Sequence, residues 1–388
     1  MGCSGSKGTQ SSLGNQEASR GGTLLLDSDA TSDGENQQRK GSVIHKAPEF
    51  TVSAAVGSPF DTSVIGTLTR HGIAPVPTRM AGSISKAKIN QDRGMCCFPF
   101  NGTHNQALLC VFDGHGQAGE RVSEWCTQQL PARLEADRDS LLTDTVNTLS
   151  RNIIQMDQDL LADPRIGMIA RGAGTTSNVL YLHGDRLWTA CSGDSRAVLG
   201  QRQGGRIYAV DLSRDHKPDL PDEQRRIERA GGQVSQAGPN GLPPSRMWVH
   251  GRVGLAMSRS IGDGEAKGHG VIPDPEVRER VIKPAADSGD GDAFIIVASD
   301  GIWEFISSEE ACEIVAKHES ATKACETLVM HAVKRWEEEE GSYRDDITCI
   351  IVYLPFLEDV RFARSPLALP TQHLACILAA AGRELRRR

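Results

Sequence analysis

Residues 107–116, ALLCVFDGHG, join an apolar run to a short polar segment. Six apolar residues bounded by turn-forming residues predict a buried β-strand that ends at Asp113. The polar segment then places a carboxylate and the His115 imidazole beside glycines, at the end of a rigid element. An Asp-Gly pair at a strand end is most often only a turn. The chemical interpretation therefore depends on whether similar segments occur elsewhere in the chain.

The same arrangement recurs along the sequence, because acidic residues stand beside several other strand-like runs. Hard divalent cations such as Mg²⁺ and Mn²⁺ prefer oxygen ligands. Two such ions ~4 Å apart can activate a water and clamp a phosphoryl oxygen. Five carboxylates are candidate metal ligands: Asp92, Asp113, Asp194, Asp300 and Asp345. Gly114 is a further candidate, because a glycine lets its backbone carbonyl approach a metal.

Apolar periodicity and turn residues predict alternating strands and helices from about residue 61 onward. Strands are predicted at residues 107–112, 177–182, 186–191, 196–199, 294–298 and 347–354. Helices are predicted at residues 117–130, 221–230, 308–317 and 321–339. Several strands with carboxylates at their ends indicate a polar site at the edge of a sheet.

Composition excludes several classes of protein. The chain has 388 residues and a formal net charge of −7, so bulk electrostatics do not favour nucleic-acid binding. Its ten cysteines have no zinc-site or disulfide-scaffold spacing, which indicates reduced thiols in an intracellular protein. No secretory signal and no apolar run of transmembrane length is evident.

A set of short motifs, in a fixed order, resembles the type 2C protein phosphatase family, the metal-dependent Ser/Thr phosphatases. The resemblance runs from about Lys86 to Leu354. The motifs are Asn90-Gln91-Asp92, residues 111–116 (VFDGHG), Gly174-Thr175-Thr176, residues 193–199 (GDSRAVL), 215–218 (DHKP), 223–232 (EQRRIERAGG), 254–263 (GLAMSRSIGD), 298–304 (ASDGIWE) and 345–348 (DDIT).

The resemblance implies an α+β fold, a four-layer α-β-β-α sandwich with two central antiparallel sheets flanked by helices. Together with the polar, Gly- and Ser-rich composition of the first 60 residues, which predicts disorder, it divides the chain into three parts. These are a disordered, acylated segment at residues 1–60, a catalytic domain at 61–356 and a C-terminal extension at 357–388. The extension carries an apolar stretch and a basic end, which suit either a docking helix, a membrane-surface contact or a loosely packed helix.

The family site, carried over by position, implies two Mn²⁺ or Mg²⁺ ions with room for a third, weaker ion. Asp113 would bridge the two ions and Gly114 would offer its carbonyl. Asp300, Asp345 and Asp92 would be further ligands, and Asp194 would help to hold the third ion. The implied reaction is direct attack of a metal-bridging hydroxide on phosphoserine or phosphothreonine in protein substrates. His115 would protonate the departing oxygen. The alternative is a pseudophosphatase that binds phosphoproteins as an adaptor.

The sequence departs from the family pattern near the first motif. Gln91 stands where many members carry Glu. The basic residue that binds phosphate is expected five positions before Asp92, where this chain has Ala87. Lys86 and Lys88 stand on either side, so either could bind phosphate.

The start of the sequence, MGCSGS, fits the N-myristoylation pattern, with Gly2 as the acceptor and Cys3 placed for palmitoylation. Two acyl chains anchor a protein stably, whereas one binds only marginally. We therefore expect a monomeric phosphatase at the cytoplasmic face of a membrane, most naturally the plasma membrane, with some protein in the cytosol and no nucleic-acid partner.

Overall fold

The computed structural model describes residues 22–25, 63–77, 83–284 and 289–354. Its strands are β1 Gly22–Leu25, β2 Ile65–Arg70, β3 Ile73–Pro77, β4 Ser83–Ala87, β5 Arg93–Phe98, β6 Gln106–Phe112, β7 Gly114–Gly116, β8 Ala173–Thr175, β9 Ser177–His183, β10 Arg186–Ser192, β11 Arg196–Gln203, β12 Arg206–Asp211, β13 Gln233–Ser235, β14 Arg246–Val249, β15 Val253–Leu255, β16 Ile261–Gly262, β17 Glu276–Val281, β18 Gly291–Ala298 and β19 Ile347–Tyr353. Its helices are α1 Gly119–Ala136, α2 Arg138–Thr143, α3 Thr145–Ala162, α4 Gly167–Ala170, α5 Pro221–Arg229, α6 Gly264–Lys267, α7 Asp300–Trp303, α8 Ser308–Val315 and α9 Ala321–Glu340.

Two antiparallel sheets form the centre of the molecule. The first has six strands in the order β1-β5-β6-β9-β10-β17, and the second has five in the order β12-β11-β18-β19-β2. Helices α1 and α3 pack on the first sheet, and α8 and α9 pack on the second. This confirms the predicted α+β sandwich.

Strand β6 shows how the apolar run at residues 107–112 builds two cores at once. Side chains alternate between the faces of a sheet. Leu108 and Cys110 therefore join the core beneath α1 and α3, whereas Leu109 and Val111 join the core between the two sheets. The strand is buried on both faces, which explains why it has no polar alternation. A third core lies between the second sheet and α8 and α9.

A smaller unit, which we call the flap (residues 221–267), projects beside the sandwich. It contains α5, the three-stranded sheet β13-β14-β15 and α6. Its own apolar cluster includes Ile227, Met247 and Leu255. The hairpin formed by β14 and β15, which we call the flap hairpin, therefore packs against α5 through this cluster.

The predicted elements agree well with the observed ones. All six predicted strands and all four predicted helices are present, with ends that move by a few residues. Helix α3 (Thr145–Ala162) occupies a region for which we made no prediction. Its buried Leu149, Ile153 and Leu160 nevertheless follow helical spacing.

The two ends of the chain are described only in small part. Residues 22–25 form an edge strand that pairs with β5. The rest of the segment predicted to be disordered, the acylation motif and the C-terminal extension at 357–388 lie outside the described residues. The helices that the structure describes are all too short or too polar to cross a membrane.

Candidate active site

Four of the predicted carboxylates lie at one end of the sandwich, two from each sheet. Asp92 directly precedes β5 and Asp113 directly follows β6, and these two strands are paired. Asp300 follows β18 after one residue and Asp345 stands just before β19, and this second pair of strands is also antiparallel. Because the strands of each pair run in opposite directions, each sheet presents two carboxylates at the same edge. We call these four residues the carboxylate cluster.

Hydrogen bonds join the two sheets at this edge. Ser299 Oγ donates to Asp92 Oδ2 at 2.8 Å and accepts from the backbone N–H of Thr348 at 2.9 Å. The buried carboxylate of Asp346 accepts from the backbone N–H of Gln91 at 2.8 Å. The segment before Asp92 is therefore held against the segment before β19.

The members of the carboxylate cluster repel one another. Burial raises the pKa of Asp113, and the charges of Asp92, Asp300 and Asp345 raise it further. Burial and the charges of Asp194 and Asp345 likewise raise the pKa of Asp300. Burial raises the pKa of Asp92 to about 7, with a contribution from Asp346. Several buried negative charges are costly unless positive charge offsets them.

The donor atoms of this edge suit a hard divalent cation. Oδ1 of Asp92 is buried and has no hydrogen-bond partner among the described residues. Among the described residues, no three side chains of His, Cys, Asp or Glu lie close enough together to hold one ion by themselves. Mg²⁺ and Mn²⁺ are typically held by few carboxylates, with carbonyls and waters completing the shell. The cluster therefore fits such ions.

Asp194, the fifth predicted ligand, does not line the cavity and already has a cationic neighbour. Its side chain is fully buried, and its Oδ2 accepts from Lys217 Nζ at 2.6 Å. Its Oδ1 is buried without a hydrogen-bond partner in the described ranges. Burial lowers the pKa of Lys217, but the attraction of Asp194 and Asp300 raises this pKa by more, so the net shift is upward. Lys217 lines the cavity.

The two candidate lysines differ in position. Lys88 Nζ lies 2.6 Å from Asp345 Oδ1 and 5.1 Å from the centre of the Tyr343 ring. Despite partial burial, the charges of Asp345 and Asp346 raise the pKa of Lys88. Lys86 is exposed on strand β4, opposite Ala74, and does not line the cavity. Of the two lysines, the structure brings only Lys88 to the carboxylate cluster.

His115 pairs with a carboxylate that our sequence interpretation gave no role. His115 Nε2 lies 2.7 Å from Asp263 Oδ2, and Ser260 Oγ donates to the same oxygen at 2.6 Å. Burial lowers the pKa of His115, but the charge of Asp263 and its hydrogen bond raise this pKa by more. The same attraction lowers the pKa of the buried Asp263. A Cβ on Gly174 would lie 2.2 Å from Asp263 Oδ2. Glycine at this position therefore leaves room for the pair.

A cavity of about 700 Å³ connects these groups. Its wall includes Lys88, Asp113, Gly114, His115, Asp263, Asp300 and Asp345. Flap residues Arg246 and Arg252 form another part of the wall, and Trp336, Glu340 and Tyr343 from the end of α9 and the following turn form a third. The cavity is therefore large enough for a phosphorylated side chain and its neighbours.

Sequence reasoning gave no role to six charged residues of this wall: Lys217, Arg246, Arg252, Asp263, Glu304 and Glu340. Three of them, Lys217, Asp263 and Glu304, stand inside motifs that carried the family resemblance, so their positions were visible. Their functions depend on long-range contacts, such as the 148-residue separation between His115 and Asp263. A single sequence gives no signal for such a contact.

Comparison with known proteins agrees with this geometry. The family model "Protein phosphatase 2C" matches residues 80–341. The chain is 37% identical over 276 residues to "Probable protein phosphatase 2C 64" of Oryza sativa subsp. japonica, covering 69% of this chain and 62% of that protein. It is 39% identical over 245 residues to "Probable protein phosphatase 2C 71" of Arabidopsis thaliana, covering 63% of this chain and 48% of that protein. The matches thus span about half to two thirds of the length of these two relatives.

Solved structures share the fold. A serine-threonine phosphatase 2C from Toxoplasma gondii superimposes with a TM-score of 0.57 at 22% identity, covering 72% of this chain and 98% of that one. A C. elegans sex determining protein superimposes with a TM-score of 0.59 at 20% identity, covering 78% of this chain and 67% of that one. At these identities the likeness establishes the architecture alone.

Proposed function

This chain belongs to the protein phosphatase 2C family, and from that membership we propose that it is a metal-dependent protein serine/threonine phosphatase. The observation that carries the proposal is the meeting of Asp113, Asp300, Asp345, Lys88 and the His115–Asp263 pair in one cavity. The buried Asp92 does not line the cavity, but its charge raises the pKa of Asp113. The cluster needs positive charge, and a phosphate monoester needs both an activated water and charge compensation.

We assign two Mn²⁺ or Mg²⁺ ions to Asp92, Asp113, Asp300, Asp345 and the carbonyl of Gly114. Asp194 would support a third, weaker ion in competition with the Lys217 ammonium group. Bound ions would supply a water of lowered pKa and positive charge beside the phosphoryl oxygens. Oδ1 of Asp92, which is buried and has no hydrogen-bond partner in the part of the chain that the structure describes, supports this assignment.

The remaining residues orient the substrate and supply a proton. Lys88, held at the cavity by Asp345, would bind a phosphoryl oxygen as a point charge. His115 lines the cavity, and its Nε2 contacts Asp263 Oδ2. The protonated imidazole, stabilised by the Asp263 carboxylate, would give a proton to the seryl or threonyl oxygen as it departs.

The direct test is release of phosphate from p-nitrophenyl phosphate and from a phosphothreonine peptide with Mn²⁺. The Asp113→Ala variant should lose more than about 100-fold in rate, beyond what outer-shell changes cost at metal sites. Equal rates for the two proteins would reject the proposal. Binding of the phosphopeptide without Mn²⁺-dependent turnover would instead favour the phosphoprotein-binding adaptor.

We also propose that the protein acts while tethered to the cytoplasmic face of a membrane, through acyl chains on Gly2 and Cys3. The support is the sequence motif and the two-chain requirement for stable anchoring. The Gly2→Ala variant, expressed in cells, should move from the membrane pellet to the soluble fraction. An unchanged membrane fraction would refute the acyl anchor.

A further inference from the structure

Four basic side chains line the cavity, and they divide into two kinds. Lys88 and Lys217 each contact a carboxylate at 2.6 Å, from Asp345 and Asp194. Arg246 and Arg252 also line the cavity, and neither forms an ion pair within the described ranges of the chain. Among the residues that the structure describes, the Arg246 guanidinium group donates only to the backbone carbonyl of Gly254, at 3.1 Å. The flap side of the cavity therefore carries two positive charges without a carboxylate partner.

The lack of a partner is not general among flap arginines. The fully buried Glu223 pairs with Arg226 and Arg259, each at 2.6 Å. These arginines stabilise the base of the flap. Within the described ranges Arg225 and Arg229 also form no ion pair, but they do not line the cavity. Arg246 and Arg252 are therefore the unpaired flap arginines that an anion in the cavity can reach.

The flap hairpin fixes where these arginines stand. Arg246 begins β14, whose Met247 and Val249 are buried in the flap core. Arg252 follows a tight turn closed by its backbone N–H to Val249 O at 3.0 Å, with His250 and Gly251 at positive φ. Such a turn holds the strand ends in register. Both arginines are therefore presented to the cavity by a packed hairpin rather than by an extended loop.

We propose that Arg246 and Arg252 form a binding subsite for an anionic side chain that adjoins the phosphorylated residue of the substrate. The proposal rests on the proposed phosphatase function and names the substrate class that this site selects. A guanidinium group matches a carboxylate or a second phosphate through paired N–H donors. Glu304 and Glu340 line other parts of the same cavity and would repel such a group there. The preference should therefore depend on the side of the phosphoresidue that carries the charge.

The test compares phosphothreonine peptides that differ only in flanking residues. The first set carries Asp at about three positions on the N-terminal side of the phosphothreonine, and the second set carries Asp at about three positions on the C-terminal side. The third set carries Lys at these positions. The fourth set carries a phosphoserine there, as a second phosphate group. For the wild type with Mn²⁺, we expect kcat/KM to be roughly three- to tenfold higher for acidic flanks on one side than for Lys flanks. The advantage should shrink with added salt. Comparing the Asp and phosphoserine arms identifies which anion the subsite prefers.

Three variants locate the effect. Arg252→Glu, at an exposed position, should reduce the preference, and Arg246→Glu combined with Arg252→Glu should reverse it toward Lys flanks. Arg225→Glu on the exposed face of α5 is the matched control, because it makes the same charge change away from the cavity and should retain the preference. Hydrolysis of p-nitrophenyl phosphate, which has no flanks, should stay within about twofold in Arg225→Glu, which does not line the cavity. In every variant the preference is a ratio of kcat/KM values for two peptides, so a general change of rate cancels.

The outcomes separate the two proposals. Absence of a flank preference in the wild type, an unchanged preference in Arg252→Glu and the double variant, or equal loss in Arg225→Glu would each overturn the subsite. Peptide binding measured by fluorescence anisotropy with the same variants judges the subsite independently of turnover. Absence of Mn²⁺-dependent hydrolysis of p-nitrophenyl phosphate would overturn the proposed function instead.

Discussion

The contact between His115 and Asp263 is the most informative feature at the scale of single residues. The two side chains come from β7 and from the turn before α6, and Gly174 on the neighbouring strand β8 leaves space for them. A carboxylate on one ring nitrogen fixes the tautomer and favours the protonated imidazole. A general acid needs both properties.

Asp263→Asn tests this role with little change of shape, because Asn tolerates the positive φ of 52° at this position. Hydrolysis of a phosphothreonine peptide should fall about 10- to 100-fold, because the departing alkoxide needs a proton. Hydrolysis of p-nitrophenyl phosphate should change little, since nitrophenolate departs as an anion. The loss should not add to that of His115→Asn, because the two residues act together.

Asp163→Asn is the matched control, since Asp163 pairs with Arg165 at 2.9 Å and does not line the cavity. It should leave both substrates unaffected. An equal loss on both substrates in Asp263→Asn would show that Asp263 only maintains structure.

Residue spacing could not distinguish Lys86 from Lys88. The two are separated by two positions, so strand alternation places them on the same face. Strand β4 ends at Ala87, however, and the backbone N–H of Lys88 bonds to Gly72 O at 2.9 Å. What distinguishes Lys88 is the contact of its Nζ with Asp345 Oδ1. A contact between residues 257 positions apart is not evident in the sequence.

At the scale of secondary-structure elements, the buried Glu223 on α5 is central to the flap. It accepts hydrogen bonds from Arg226, Arg259 and Ser258. Burial raises the pKa of Glu223, but hydrogen bonds from Arg226 and Arg259 hold this pKa below its ordinary value. The carboxylate thus links α5 to the segment that precedes Asp263.

Glu223→Gln should destabilise the flap by about 2–4 kcal/mol, because it removes the charge opposite two partly buried arginines. Hydrogen exchange should become faster at residues 221–267 before it does so in the sheets. Glu228→Gln is the control, because Glu228 is exposed on the same helix and, among the described residues, its side chain bonds only to Gln224. Equal exchange rates in the two variants would contradict the role given to Glu223.

Elements were easier to predict from the sequence than their arrangement. The apolar run at 107–112 and the Pro-started helix at 221 each carry a local signal. The pairing of β2 with β19 joins residues more than 270 positions apart, as in Thr69 with Thr348. Register over such distances depends on packing that composition does not encode. The prediction of a sandwich therefore came from the family resemblance rather than from periodicity.

At the scale of the whole molecule, the carboxylate cluster lies where the two sheets meet, and the repulsion among its negative charges opposes the association of the sheets. Its charges come from the ends of β5, β6, β18 and β19. Asp92 has an ordinary pKa of 3.8 that rises to about 7 in the fold, chiefly through burial. A raised pKa means that the folded state favours the protonated carboxyl. Stability from this group is present below about pH 4 and is lost as pH rises through about 7.

Metal-free protein should therefore unfold at a lower temperature at pH 8 than at pH 6, with a difference on the order of 2 kcal/mol. Saturating Mn²⁺ should stabilise the protein more at pH 8 than at pH 6, because protons compete with the metal. Differential scanning calorimetry with a chelator and with Mn²⁺ measures both effects. Asp92→Asn should lose much of the pH dependence, and a metal-free midpoint that rises from pH 6 to pH 8 would contradict this explanation.

If the carboxylates at the sheet ends form a metal centre, the protein must bind Mn²⁺ through them, and isothermal titration calorimetry measures that binding. The wild type should bind Mn²⁺ at more than one site per chain at pH 7.5. Asp113→Asn, which keeps the shape of the side chain, should weaken binding by more than about 100-fold. Equal binding by the two proteins, or absence of binding by the wild type, would contradict the account.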